Sequence, residues 1–89
     1  MGTLRGVVIG AGYFSAFHQE AWSRIPEVKI CAVCDLVEEK VHEAQRRFHL
    51  PSVYMNWRDM LEAERPDFVD IVTPPHYDIC AFAPSARYV

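Results

Sequence analysis

The sequence lacks the features that would place the protein in a membrane or on a nucleic acid. No apolar run approaches the ~20 residues that cross a bilayer. The first residues do not form a basic segment followed by an apolar core, so we expect no secretory signal. The nine basic residues are scattered and the formal net charge is −3, whereas a polyanion-binding surface needs clustered lysine and arginine. The sequence therefore predicts neither a membrane nor a nucleic-acid partner.

The sequence also lacks the cysteines for a disulfide framework, since it has three, an odd number. Cys31 and Cys34 are spaced as Cys-x-x-Cys within a predicted strand. Residues three apart on a strand point to opposite faces, so these two thiols cannot share a tetrahedral metal ion. Redox pairs of this spacing begin helices instead. We expect two buried structural cysteines, no metal site and a cytoplasmic location.

Low-complexity segments and internal repeats are absent as well, which argues against disorder. Of the 89 residues, 51% are apolar and 24% are charged, a composition typical of a folded soluble protein. The sequence therefore predicts one domain over residues 1–89. Because a chain this short buries only somewhat more than ~60% of its unfolded surface, we expect marginal stability.

What the sequence does contain is a regular alternation of strand and helix patterns. Apolar runs predict strands over 4–9, 28–34, 53–55 and 68–73, with the start of a fifth at 87–89. The segments between the first four runs have helical spacing and end before prolines. This order predicts an α/β fold in which helices cover both faces of a Rossmann-like parallel sheet with strand order 3-2-1-4. The segment between the fourth run and residues 87–89 is short for a normal crossover connection. We therefore expect an incomplete sheet of about four to five strands.

The turn after the first predicted strand carries a glycine-rich motif. Residues 10–15, Gly-Ala-Gly-Tyr-Phe-Ser, fit G-x-G-x-x-G with serine, which is still small, in the last place. Glycine lets the main chain approach a pyrophosphate closely, and the following helix N-terminus supplies N–H donors. The motif predicts a dinucleotide site. The alternative is an ordinary tight turn in a fold that binds no nucleotide.

Asp35 follows the second predicted strand, where a carboxylate can accept hydrogen bonds from both ribose hydroxyls. It would repel a 2′-phosphate, and neither Leu36 nor Val37 offers a guanidinium to one. Lys40 lies one helical turn further on, and we expect it to be solvated. NAD is therefore favoured over NADP. Asp35 can also be read as a helix N-cap, alone or in addition.

The same arrangement of a glycine turn and an acid could hold S-adenosylmethionine. Methyltransferases that use it usually carry an acidic residue directly before the glycine turn. This chain has Val8 and Ile9 there, which favours the dinucleotide.

Three segments together resemble the Gfo/Idh/MocA family, the group of glucose-fructose oxidoreductase and inositol dehydrogenase: residues 7–12, 32–35 and 69–75. Residues 87–89 are similar to the strand that leads into Glu-Lys-Pro in that family. The resemblance implies NAD(P)-dependent oxidation or reduction of a sugar, a polyol or a related hydroxy compound. It also implies which residues bind the cofactor: Gly10, Gly12, Tyr13 and Phe14 at the pyrophosphate, Asp35 at the adenosine ribose, and Thr73, Pro74 and Pro75 at the nicotinamide. His76 follows directly and is expected near the nicotinamide as well.

The chain departs from the family pattern where the chemistry would be. The family usually has a histidine five residues after the threonine of its strand-four motif, and this chain has Asp78 there. The lysine of Glu-Lys-Pro and the C-terminal substrate domain would lie beyond Val89. The resemblance therefore implies a C-terminally truncated cofactor-binding domain with no catalytic residue and no turnover of its own. The alternative is a stand-alone, non-catalytic module that binds a nucleotide or a protein. An open sheet edge predicts homo-oligomerisation or aggregation.

Overall fold

The computed structural model describes residues 3–72 and 87–88. Strands and helices alternate along the chain: β1 (Leu4–Ile9), α1 (Tyr13–Ser23), β2 (Val28–Cys34), α2 (Glu38–Phe48), β3 (Ser52–Tyr54), α3 (Trp57–Glu64), β4 (Phe68–Ile71) and β5 (Arg87–Tyr88). The predicted bounds of β1 and β2 are confirmed. β3 lies one residue earlier than predicted, and the predicted fourth strand ends at Ile71 within the described residues.

All the strands belong to one parallel sheet with the order β3-β2-β1-β4-β5. The predicted order 3-2-1-4 is therefore confirmed, and β5 is added beside β4. Because the strands are parallel, their carboxyl ends share one edge of the sheet. That edge is where open α/β sheets bind ligands.

Helices cover both faces of the sheet, as predicted. On one face Val7, Cys34 and Val69 pack with Met60 and Leu61 of α3. On the other face Val8 and Val33 pack with Val41 and Ala44 of α2. Neighbouring residues in the second halves of β1 and β2 thus alternate between two buried cores, which is why these halves are continuous apolar runs in the sequence.

A hydrogen-bonded cluster holds the C-terminal end of α3 against β1 and β3. The Tyr54 hydroxyl donates to Glu64 Oε2 at 2.6 Å, and the Arg5 guanidinium donates to Glu64 Oε1 at 3.2 Å and to its main-chain oxygen at 2.7 Å. The hydrogen bond to Glu64 raises the pKa of Tyr54, because it is made by the neutral phenol. At the other end of α3, Asn56 Oδ1 accepts from the Arg58 N–H at 2.8 Å and so caps the helix. Within residues 3–72, no helix is long and apolar enough to cross a membrane.

Candidate functional site

The glycine turn lies at the carboxyl end of β1, between that strand and α1. Gly10 has φ 106°, a conformation that side-chain-bearing residues rarely adopt, and its N–H donates to the Cys34 oxygen at 2.7 Å. Gly12 is the N-cap of α1. Ser15, in the third glycine position of the motif, is a buried residue in the first turn of α1, so serine is indeed small enough for the packing there.

The N-terminus of α1 has no side-chain cap among the described residues, and its first turn contains no acidic residue. The other two helices differ. Asn56 caps α3, whereas α2 also lacks a side-chain cap but has Glu38 and Glu39 in its first turn. Uncapped N–H groups at a helix start carry a partial positive charge and bind anions readily. The backbone therefore offers an anion site at Gly12, where α1 begins with Tyr13 and Phe14.

Asp35 connects the glycine turn to the start of α2. Its Oδ2 accepts from the Ala11 N–H at 2.9 Å, and its Oδ1 accepts from the Val37 N–H at 2.9 Å. The N-cap of α2 is Val37, so the reading of Asp35 as the N-cap residue is wrong. An ionised carboxylate has about four acceptor positions. Each oxygen of Asp35 therefore keeps one position for a further donor.

A cavity of about 330 Å³ opens beside Asp35, at the carboxyl ends of β1, β2 and β3. Its apolar wall is formed by Leu36, Met55 and Trp57. Leu36 is 86% exposed and Met55 is 41% exposed, so both present apolar surface to solvent at this cavity. Our reading of the sequence missed these three residues. The only available signal was that apolar residues directly follow two strands.

Lys40 reaches the glycine turn from α2. Its Nζ lies 4.0 Å from the position that a Cβ on Gly12 would occupy. The residue is exposed, in agreement with the expected solvation, but its ammonium group lies beside the turn rather than away from it. Lys40 also lines a second cavity, of about 220 Å³, between α1 and α2.

Cys34, at the end of β2, lines the cavity beside Asp35. Both Cys31 and Cys34 are buried free thiols, as predicted. Burial, together with the negative charges of Asp35 and Asp59, raises the pKa of Cys34 to about 11. A thiol with such a pKa is a poor nucleophile and a poor metal ligand at neutral pH.

We therefore expect Cys34 to resist alkylation in the folded protein. In a variant that keeps only this cysteine (Cys31→Ser with Cys80→Ser), iodoacetamide should label the folded chain at least about 100-fold more slowly than the chain in urea, because raising the pKa from 9.0 to about 11 removes most of the thiolate. Mass spectrometry of timed aliquots gives both rates. Equal rates in the two states would contradict the burial and the raised pKa.

A second polar group, which the sequence analysis did not single out, lies on β4. Asp70 is 1% exposed, and its Oδ2 accepts from the indole Nε1 of Trp22 at 2.8 Å. The same oxygen lies 2.8 Å from His18 Nδ1. Because a carboxylate only accepts, His18 must carry a proton on Nδ1. These contacts hold α1 against β4.

Thr73, Pro74, Pro75 and His76, the residues expected at the nicotinamide, lie outside the described residues. Of the other predicted cofactor-binding residues, the structure brings Gly10, Gly12 and Asp35 together with the first turn of α1. It adds Lys40 and the apolar cavity beside Asp35 to this group.

A parallel sheet with a glycine turn into an uncapped helix, and an acid at the end of the next strand, defines a Rossmann-type nucleotide-binding domain. Residues 4–86 match Gfo/Idh/MocA, the oxidoreductase family with an NAD-binding Rossmann fold, and the chain belongs to that family.

Among its relatives, D-apiose dehydrogenase of Paraburkholderia graminis is 38% identical over 84 residues, which are 92% of this chain and 22% of that protein. Glycosyl hydrolase family 109 protein 1 of Phocaeicola vulgatus is 32% identical over 80 residues, 80% of this chain and 17% of that protein. In structure, the chain is similar to myo-inositol 2-dehydrogenase from Lactobacillus plantarum, with a TM-score of 0.88 and 26% identity over 97% of this chain and 27% of the other. The chain thus spans about a fifth to a quarter of the length of these two dehydrogenases.

Proposed function

We propose that this chain binds NAD(H) and forms the cofactor-binding part of a dehydrogenase acting on a sugar, a polyol or a related hydroxy compound. The observation that carries the proposal is the uncapped start of α1 at Gly12, with the carboxylate of Asp35 held beside it by the Ala11 N–H at 2.9 Å. The similarity to D-apiose dehydrogenase supports the substrate class. The glycosyl hydrolase relative shows that likeness in this domain does not by itself fix the reaction.

The described residues suggest positions for the diphosphate, the adenosine ribose and the adenine of the dinucleotide. The N–H groups at the start of α1 suit the diphosphate, since they are donors at the positive end of a helix. The remaining acceptor positions of Asp35 suit the ribose hydroxyls. The apolar wall of Leu36, Met55 and Trp57 suits the flat face of adenine. NAD fits this set better than NADP, because a 2′-phosphate would approach the Asp35 carboxylate.

A bound NAD⁺ would supply the acceptor for a hydride from a carbinol carbon. The contribution of the described residues is to bind and orient that cofactor. The family resemblance implies that the proton relay and the substrate contacts belong to the Glu-Lys-Pro segment and to a C-terminal domain. We propose that the 89-residue chain alone binds the dinucleotide without turning over substrate, and that it works in the cytoplasm.

A binding isotherm tests the proposal. The chain is titrated with NADH and with NADPH, and binding is followed by the quenching of tryptophan fluorescence, since Trp57 lines the cavity proposed for adenine. We expect saturable binding of NADH that is tighter than the binding of NADPH. Absence of binding by either dinucleotide would refute the proposed function and favour a module that binds another protein.

Asp35→Ala should weaken NADH binding by ~1.5–3 kcal/mol, roughly ten- to hundredfold, because charge-assisted hydrogen bonds to the ribose are lost. It should narrow the preference for NADH over NADPH, because the repelling carboxylate is gone. Glu39→Ala is the matched control, since it removes the same charge from an exposed position on α2. Unchanged NADH affinity in Asp35→Ala, or an equal loss in Glu39→Ala, would remove Asp35 from the site.

A further inference from the structure

A third cavity lies toward the opposite end of β2 from Asp35. It has a volume of about 220 Å³ and is bordered by the first residues of β2, the second half of α1 and the segment in which α2 ends. None of its described lining residues also lines the cavity beside Asp35. From Ile30, which lines it, to Cys34 the strand extends by about 13 Å. The two cavities are therefore separate sites.

Gln19 of α1 is a buried polar side chain in the wall of this cavity. It is 3% exposed, and its Nε2 donates to Ser15 Oγ at 3.3 Å, which is long for such a bond. Its Oε1 is buried and has no hydrogen-bond partner within the described residues. A buried acceptor without a donor costs the free energy of its lost hydration. A ligand that brings a donor to the cavity would therefore offset this cost.

The other walls of the cavity are largely aromatic and aliphatic. They include Trp22, Ile30, Phe48 and Leu50. The Trp22 N–H already donates to Asp70, so the indole offers the cavity its carbon surface. Water alone would satisfy Gln19 Oε1 but would leave this apolar surface unused. An apolar protein cavity of about 150 Å³ holds a benzene molecule, so a cavity of about 220 Å³ has room for one ring.

The charges around the cavity disfavour a cationic ligand. Its ionisable lining residues are Lys29 and His49, both exposed, and no acidic side chain among the described residues lines it. An ammonium or guanidinium group would lose hydration there without gaining a counter-charge. The donor that suits Gln19 is therefore a neutral O–H or N–H group.

We propose that this cavity binds a small neutral compound with one aromatic ring and one O–H or N–H donor, which bonds to Gln19 Oε1. The terminal torsion of glutamine is broad, so the amide can turn toward such a donor at little cost. The ring packs against Trp22 and Phe48, which supply aromatic surface in the wall. This site goes beyond the proposed function, because it requires no dinucleotide.

Phenol and toluene test the proposal, since they have nearly the same shape and differ in the hydroxyl group. The chain, labelled with nitrogen-15, is titrated with each compound while the two tryptophan indole N–H signals are followed by NMR. Trp22 lines this cavity and Trp57 lines the cavity beside Asp35, so the two signals report on different sites. We expect phenol to shift the Trp22 signal saturably and to leave the Trp57 signal in place. Phenol should bind about three- to tenfold more tightly than toluene, because it adds one hydrogen bond.

Gln19→Leu supplies a second comparison, because leucine fills a similar volume but has no acceptor. Phenol should then bind no more tightly than toluene, whereas toluene should bind at least as tightly as in the wild type. Gln45→Leu is the matched control. It makes the same change on α2 at a residue that does not line this cavity, and it should keep the wild-type preference for phenol.

Absence of a saturable shift of the Trp22 signal with either compound would overturn the proposal, because the cavity would then hold only water. Equal affinities for phenol and toluene in the wild type would overturn it as well, and this result does not depend on the folding of a variant. An equal loss of the preference for phenol in Gln45→Leu would show that Gln19 is not the acceptor.

Discussion

Replacing Gly6 with alanine should lower the free energy of unfolding by about 2–3 kcal/mol, although the change adds a single methyl group. Gly6 on β1 lies opposite Phe68 on β4, and the phenyl ring covers the glycine. A Cβ at this position would overlap Cζ of that ring and lie 2.5 Å from Cε1 and Cε2. Phe68 is 7% exposed, and its ring packs on Trp22 with the ring centroids 4.8 Å apart. The ring therefore cannot move away without disturbing the core.

Urea unfolding followed by tryptophan fluorescence measures this loss. Adding Phe68→Leu to Gly6→Ala should recover part of the stability, because the shorter side chain leaves room for the methyl group, even though Phe68→Leu alone is destabilising. Gly12→Ala is the matched control. Its Cβ has open space and an ordinary φ of −83°, so stability should change by less than about 0.5 kcal/mol. A neutral Gly6→Ala would show that the sheet opens easily between β1 and β4.

The parts of the fold that the sequence predicts best are those buried on both faces. β1 and β2 have the predicted bounds because every residue of their second halves faces one of the two cores, so that the apolar run and the strand end together. β3 is only half-buried at each of its three residues. Its position depends on pairing with β2 rather than on its own pattern, and the prediction was one residue late.

The candidate site divides along similar lines. The positions of Gly10 and Asp35 could be predicted from local sequence. The turn needs a residue that tolerates a positive φ, and the end of the second strand needs a hydrogen-bond acceptor. The position of Lys40 beside the glycine turn could not be predicted, because its distance to Gly12 depends on how α1 and α2 pack. The cavity wall likewise depends on the loops after β2 and β3 coming together. Contacts of this kind are not written in the periodicity of one segment.

The partners of the buried carboxylate of Asp70 could not be predicted from a local pattern either. Removal of this carboxylate should be among the most destabilising changes in the chain. A carboxylate in an otherwise apolar strand is compensated by donors some fifty positions away, on α1: Trp22 Nε1 and His18 Nδ1, each 2.8 Å from Oδ2. Asp70→Ala leaves the Trp22 N–H without its acceptor inside the protein, whereas His18, with 46% of its side chain exposed, can turn to water. Oδ1 is buried without a partner, so part of the cost of burying the carboxylate is relieved in the variant.

The lost bonds and the cavity outweigh that relief, and we expect Asp70→Ala to cost about 2–3 kcal/mol in urea unfolding. Trp22→Phe removes the N–H donor but keeps an aromatic ring against Phe68, so it should cost about 1 kcal/mol. Because both substitutions break the same hydrogen bond, the double variant should be more stable than the sum of the two predicts, by about 1 kcal/mol. Strict additivity would mean that the indole does not hold Asp70. A more stable Asp70→Leu variant would mean that the desolvation of the carboxylate outweighs both of its hydrogen bonds.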